Sequence, residues 1–198
     1  MTMIQFVFLL TLVTSTTGQP PPAKCCSAPQ FSATLVDMHS INGDLYNAIH
    51  GEFDYIAGKQ ALLSLTHNPF TGVSNYTSRT VIDFNKAKEY VIPVDDPTKC
   101  FVVNWPIGPT RCIPDDAMYL GSTYLGPVST LPYDGWRFKL PGANITISLA
   151  VSTSGCVPIV EGIHINDNPR GDELFLFTEY EPRIRNPDWF DLPSSCPQ

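Results

Sequence analysis

Almost every apolar stretch in this chain is short and alternates with polar residues, a pattern that leaves room for little besides β-strands. Ten such runs follow one another, at residues 31–38, 51–56, 61–66, 79–84, 89–94, 100–105, 136–140, 144–152, 158–165 and 173–180. Turn-forming residues separate them, among them Asn42-Gly43, Ala57-Gly58, Asp95-Asp96-Pro97, Pro141-Gly142 and Asn168-Pro169-Arg170-Gly171. With 19 prolines in the chain, long helices have no place to form. Short helical turns are expected only at residues 115–120 and 186–190. The fold class is mostly β, an antiparallel sheet protein.

Two runs carry more information than the others. From Asn144, the side chains of Ile145, Ile147, Leu149 and Val151 share one face, and Asn144, Thr146, Ser148 and Ala150 share the other. Leu174, Phe175, Leu176 and Phe177 are apolar on both faces. Such a strand is central in a packed core, or it faces a cavity or a partner.

The N-terminus sets the compartment. Residues 4–13 are nearly all apolar, but the run falls short of the roughly 20 residues that span a bilayer. Small polar residues and then prolines follow, as in a secretory leader, although no Lys or Arg precedes the run. Residues 1–18 are read as a signal peptide and 19–198 as one domain. Six cysteines remain, an even count that in an exported chain points to disulfides: Cys25, Cys26, Cys100, Cys112, Cys156 and Cys196. Adjacent Cys25 and Cys26 are not expected to join each other, so each reaches far along the chain. Six cysteines permit about 15 pairings, and spacing does not choose among them. Asn75-Tyr76-Thr77 and Asn144-Ile145-Thr146 are glycosylation acceptors suited to the same compartment. Secretion to the extracellular space is expected, with the lysosome as a second destination.

A net charge of −7 argues against nucleic acid and anionic membranes as partners. Charged side chains make up 16% of the chain, against about a quarter in a typical soluble domain. Staples and glycans are expected to share the work of stability and solubility. The chain has no nucleophile elbow, no His-Glu-x-x-His helix, no phosphate loop and no EF-hand spacing. His39, His50, His67 and His164 are scattered. Asp95-Asp96 and Asp115-Asp116, with Glu161 and Asp167 elsewhere, offer oxygen ligands without a calcium spacing, and read first as solvated turns. No enzyme is expected, and no cofactor is required.

The cysteine contexts carry a resemblance. Cys26-Ser27-Ala28-Pro29 follows the leader, Gly155-Cys156-Val157-Pro158-Ile159-Val160-Glu161 comes later, and Asn186-Pro187-Asp188-Trp189-Phe190 runs on to Pro193-Ser194-Ser195-Cys196. In this order and spacing the chain resembles the ependymin family of secreted glycoproteins, from Cys26 to Cys196. The resemblance implies a curved antiparallel sheet of about ten strands, half-barrel or sandwich-like and similar to bacterial lipoprotein carriers, with an apolar pocket on its concave side. It implies Cys26 bridged to Cys156 and Cys100 to Cys196, which leaves Cys25 with Cys112. It also implies a homodimer, calcium binding and contact with extracellular matrix.

The functional expectation follows from both readings. A secreted binder of a fatty acid or lipid needs a concave apolar wall with few polar groups. Leu62, Leu63, Leu65 and Val81 are candidates from the early strands, with Phe101 and Val103 beyond them. Ile147, Leu149, Phe175 and Phe177 are candidates from the later ones. Period alone does not separate a pocket wall from a filled core, and the family resemblance favours the pocket. The alternative is an adhesive matrix glycoprotein that acts through glycans and calcium without a small ligand.

Overall fold

The structure is a computed structural model that describes residues 20–41, 45–127, 130–167 and 172–197. The expected leader at residues 1–18 and the turns at Asn42-Gly43 and 168–171 lie outside the described residues. The strands are β1 (Gln30–Asp37), β2 (Tyr46–Asp54), β3 (Lys59–Asn68), β4 (Val73–Asp83), β5 (Lys88–Pro93) and β6 (Phe101–Asn104). They continue as β7 (Met118–Leu125), β8 (Leu131–Lys139), β9 (Ile145–Ser152), β10 (Pro158–Ile165) and β11 (Glu173–Glu181). A 3₁₀ turn, Pro187–Phe190, follows. It coincides with the second expected helical turn. The first is corrected: residues 118–120 open strand β7, because Gly121 and a bulge between Tyr119 and Gly121 let this segment pair with β8 despite its broken alternation.

All strands join one 11-stranded antiparallel sheet in the order β6-β5-β4-β3-β2-β1-β11-β10-β9-β8-β7. Chain neighbours pair as hairpins, except where β1 meets β11 and where the chain passes from β6 to β7. That last passage shapes the molecule. β6 and β7 are opposite edges, so the connector at residues 105–117 crosses the whole sheet. Fully stretched from Asn104 to Met118 it reaches at most about 50 Å. A flat sheet of this size is itself about 48 Å wide. The connector is also pinned by hydrogen bonds along its way, so the sheet has to curl beneath it. The result is a curved, unclosed sheet with a strap over its concave face.

The strap is held at several points. Trp105 N donates to Ala87 O at 2.9 Å, Ser27 N to Arg111 O at 3.1 Å, and Ile113 N to Cys25 O at 2.9 Å. The last two lay residues 25–27 antiparallel to 111–113, with Cys26 directly opposite Cys112. This geometry corrects the pairing implied by the resemblance. Cys26 bridges Cys112, and Cys25 bridges Cys156, while Cys100 and Cys196 pair as expected. Adjacent residues of an extended segment point to opposite sides. Cys26 faces the strap, and Cys25 faces the cluster of Trp136, Val151 and Cys156. A Cys26→Ala variant is therefore expected to leave Cys112 as the alkylatable thiol, with Cys156 still bridged, by mass mapping of unreduced digests. Finding the free thiol on Cys156 would overturn the assignment.

Apolar clusters form on both faces of the sheet. Phe31, Ala33, Leu35, Phe53 and Phe175 pack on the concave side at its centre. Ile113 of the strap joins Trp136, Phe138 and Ile147 on the same side further along. On the outer face, Ala61, Val81, Tyr90 and Ile92 are covered by the C-terminal segment through Trp189, Phe190, Leu192 and Cys196. Glu52 anchors that segment from a fully buried position. Its carboxylate accepts hydrogen bonds from Ser32 Oγ, Arg185 N (3.0 Å), Asn186 N (3.2 Å) and Asn186 Nδ2 (2.8 Å). A buried carboxylate with this many donors is satisfied rather than costly.

Candidate functional site

Between the strap and the sheet lies a cleft of 390 Å³. Its floor follows from strand period. Leu35 pairs with Ile49, Phe31 with Phe53, and Glu161 with Phe175, so alternate residues of neighbouring strands collect on one face. Phe31 and Phe53 stack with ring centroids 4.4 Å apart. Gly51 allows this packing, because a Cβ there would stand 2.5 Å from the Phe53 ring. Leu62, Ile147, Leu149, Ile163 and Phe177 extend the apolar floor, and Trp105, Ile107 and Arg111 belong to the roof.

Polar groups gather at one end. Tyr55 donates to the carbonyl of Thr110 on the strap at 3.4 Å. Burial pushes the Tyr55 phenol up to about 12, and the charge of Glu161 adds to the effect, while Gln60 and Arg111 act against it. Glu161 stands on β10 between Leu149 and Phe175 of the flanking strands. By surface it is only half-buried, because it faces the cleft, but by depth it is enclosed, and depth governs its proton. Desolvation alone pushes this carboxyl up to about 7. Among the described residues, the ion pairs are Lys99–Asp96, Arg183–Glu181 and Arg185–Glu181, with a His164–Asp172 contact besides, so neither Glu161 nor Arg111 is in one. The indole Nε1 of Trp105 is buried in the roof without a hydrogen-bond partner.

The expected wall residues divide. Ile147, Leu149, Phe175 and Phe177 line the cleft, as does Leu62. Leu65 and Val81 are corrected: both are buried, but their registers place them, with Leu63, on the outer face, where Val81 packs under the C-terminal segment. Phe101 and Val103 are corrected too. They sit on edge strand β6, 57% and 47% exposed, and do not line the cleft. Asn75 and Asn144 are both exposed, and Asn144 receives a hydrogen bond from Asn166 Nδ2 at 3.0 Å.

The histidines stay apart from the cleft. His50 bonds Thr34 Oγ1 at 2.8 Å on the outer face, and burial lowers its pKa. His164 pairs with Asp172 at the surface, and His67 bonds Ser74. Asp96 is held low by hydrogen bonds from Thr98 and then Lys99 within its own turn. Among the described residues no three His, Cys, Asp or Glu side chains are grouped to hold a metal ion.

Glu161 is legible by a signal that strand period provides. Along β10 it shares a face with Ile163 and Ile165, so an acid occupies an apolar position. Tyr55, Gln60 and Arg111 give no such signal, since they lie at a turn, a strand start and a proline-rich connector.

The ependymin family model matches residues 73–196, which is most of the described sheet and the C-terminal segment. The chain belongs to the ependymin family. An ependymin from Notemigonus crysoleucas is 28% identical over 88 residues, a stretch covering 42% of this chain and 40% of that protein's length. Ependymins are secreted glycoproteins, and three disulfides fit that setting. An uncharacterized conserved protein from Thermus thermophilus shares the fold, with a TM-score of 0.51 at 9% identity over 84% of this chain and 87% of that one.

Proposed function

We propose that this ependymin is a binding protein that holds one hydrophobic molecule, a fatty acid or other lipid, beneath the strap. The observation that carries the reading is the cleft itself: aromatic and aliphatic side chains across the floor, a covalently tied roof, and few polar groups at one end. A volume of 390 Å³ falls in the range of about 300–1,000 Å³ usual for small-molecule sites. The work proposed is carriage without catalysis and without a cofactor. Native mass spectrometry of delipidated protein with hexadecanoic acid is expected to give a one-to-one complex, with a raised melting temperature in the same buffer. No uptake across a panel of single-tailed lipids would overturn the reading.

A second role is supported by the exposed sequons Asn75 and Asn144, which suit a matrix-facing glycoprotein. In this role calcium acts through acidic glycans. A homodimer fits edge strand β7, where Met118 and Leu120 are 55% and 53% exposed.

A further inference from the structure

Glu161 and Arg111 both line the cleft, and both act on Tyr55, yet they form no ion pair with each other. An acid left unpaired in an apolar enclosure stays neutral or takes a partner, because the bare charge is costly there. The two groups also stand on opposite walls of the cleft. Glu161 rises from the sheet floor between Leu149 and Phe175. Arg111 is on the strap, and lines as well a small surface crevice with Pro29, Tyr55, Ile56 and Pro109. Of the two, Arg111 is therefore the one that also borders the molecular surface. The Thr110 carbonyl adds an acceptor near the same point, through its contact with Tyr55.

We infer that the ligand of this cleft is a single-tailed amphiphile with a zwitterionic headgroup, its amine next to the tail on Glu161 and its anionic group outermost on Arg111. The inference rests on the ligand-binding reading above and names the class of ligand. An ammonium donates charge-assisted hydrogen bonds to the carboxylate and replaces its missing counter-ion. A phosphate or carboxylate takes the planar fork of the guanidinium at the mouth, where water still reaches the anion. The modest volume holds one tail rather than two.

The test is a set of dissociation constants at pH 8, read from tryptophan fluorescence, since Trp105 is in the roof. The probes are sphingosine 1-phosphate, sphingosine, hexadecanoic acid, hexadecanol and a lysophosphatidylethanolamine, in which the charges stand in the reverse order. Sphingosine 1-phosphate is expected to bind at least about tenfold tighter than hexadecanol. Glu161→Gln is expected to weaken sphingosine 1-phosphate and sphingosine by about tenfold and to spare hexadecanoic acid. Arg111→Gln is expected to weaken sphingosine 1-phosphate and hexadecanoic acid and to spare sphingosine. Equal binding of all five probes would overturn the inference and leave the cleft as a tail-binding site. Tightest binding by hexadecanoic acid, or by the lysophosphatidylethanolamine, would overturn it in the same way. Binding of none, hexadecanol included, would overturn the ligand-binding reading itself.

Discussion

Replacing Cys26 and Cys112 by serine is expected to abolish ligand uptake, while replacing Cys100 and Cys196 is expected to spare it. The two bridges close loops of similar length, with sequence separations of 86 and 96. In the chain-entropy model each therefore contributes about 4.6 kcal/mol, and the two losses of stability should match. For a domain of this size that is a fall in melting temperature on the order of 10 °C. The difference between them is positional. Cys26–Cys112 ties the strap that roofs the cleft, whereas Cys100–Cys196 ties the C-terminal segment to the outer face. Freed from Cys26, the strap keeps backbone hydrogen bonds of the kind Ser27 and Ile113 make, worth about 1 kcal/mol each in net terms. That is too little to hold a roof against solvent. Melting temperature and hexadecanoic acid binding, measured on both double variants, separate the two effects. Equal binding by both variants would show that the strap does not close the site.

The strap also marks where the sequence stops being informative. Strand period is a local property, and it serves best where alternation is unbroken, as in Ile145, Ile147, Leu149 and Val151 of β9. On β3 it is ambiguous, because Leu62 and Leu63 are both apolar and each face of that strand is covered. The cleft lies over one face and the C-terminal segment over the other. Nothing within β3 says which cover is which, so a reading of apolar character alone puts Leu63 and Leu65, and with them Val81 of the neighbouring β4, on the wrong side. The bridges fail for a related reason. Cys25 and Cys26 are neighbours in sequence and opposites in direction, and only the antiparallel alignment with residues 111–113 decides which of them meets Cys112. The proline-rich connector has no period at all. Its role follows from the sheet order, in which the strands it joins are the two edges.

Glu161→Gln is expected to stabilise the protein at pH 8 and to change nothing below pH 4.5. In the folded chain, desolvation raises this carboxyl from 4.5 to about 7. Below 4.5 it is protonated both folded and unfolded, and the enclosed neutral form suits the apolar floor. Between 4.5 and 7 the unfolded chain releases the proton and the folded chain keeps it, so stability falls as pH rises. Above 7 the folded chain also releases it, and the full penalty remains, at most about 3 kcal/mol. The groups facing Glu161 do not reverse this. Tyr55 stays protonated throughout, pushed up to about 12. Arg111 lines the strap side of the cleft, and Glu173 of β11 is an exposed residue at the rim. Glutamine reproduces the neutral acid in shape and removes the titration. Melting curves of the two proteins should therefore coincide at pH 4.5 and separate progressively up to pH 8, the variant melting higher by up to about 10 °C. The ligand reverses the comparison. An ammonium bound on Glu161 supplies the counter-ion that the apoprotein lacks, so the wild-type chain gains more from sphingosine 1-phosphate at pH 8 than the variant does. An apoprotein whose stability stays flat from pH 4.5 to 8, or a variant no more stable at pH 8, would mean that Glu161 is solvated rather than enclosed. The cleft would then be open to water at its polar end.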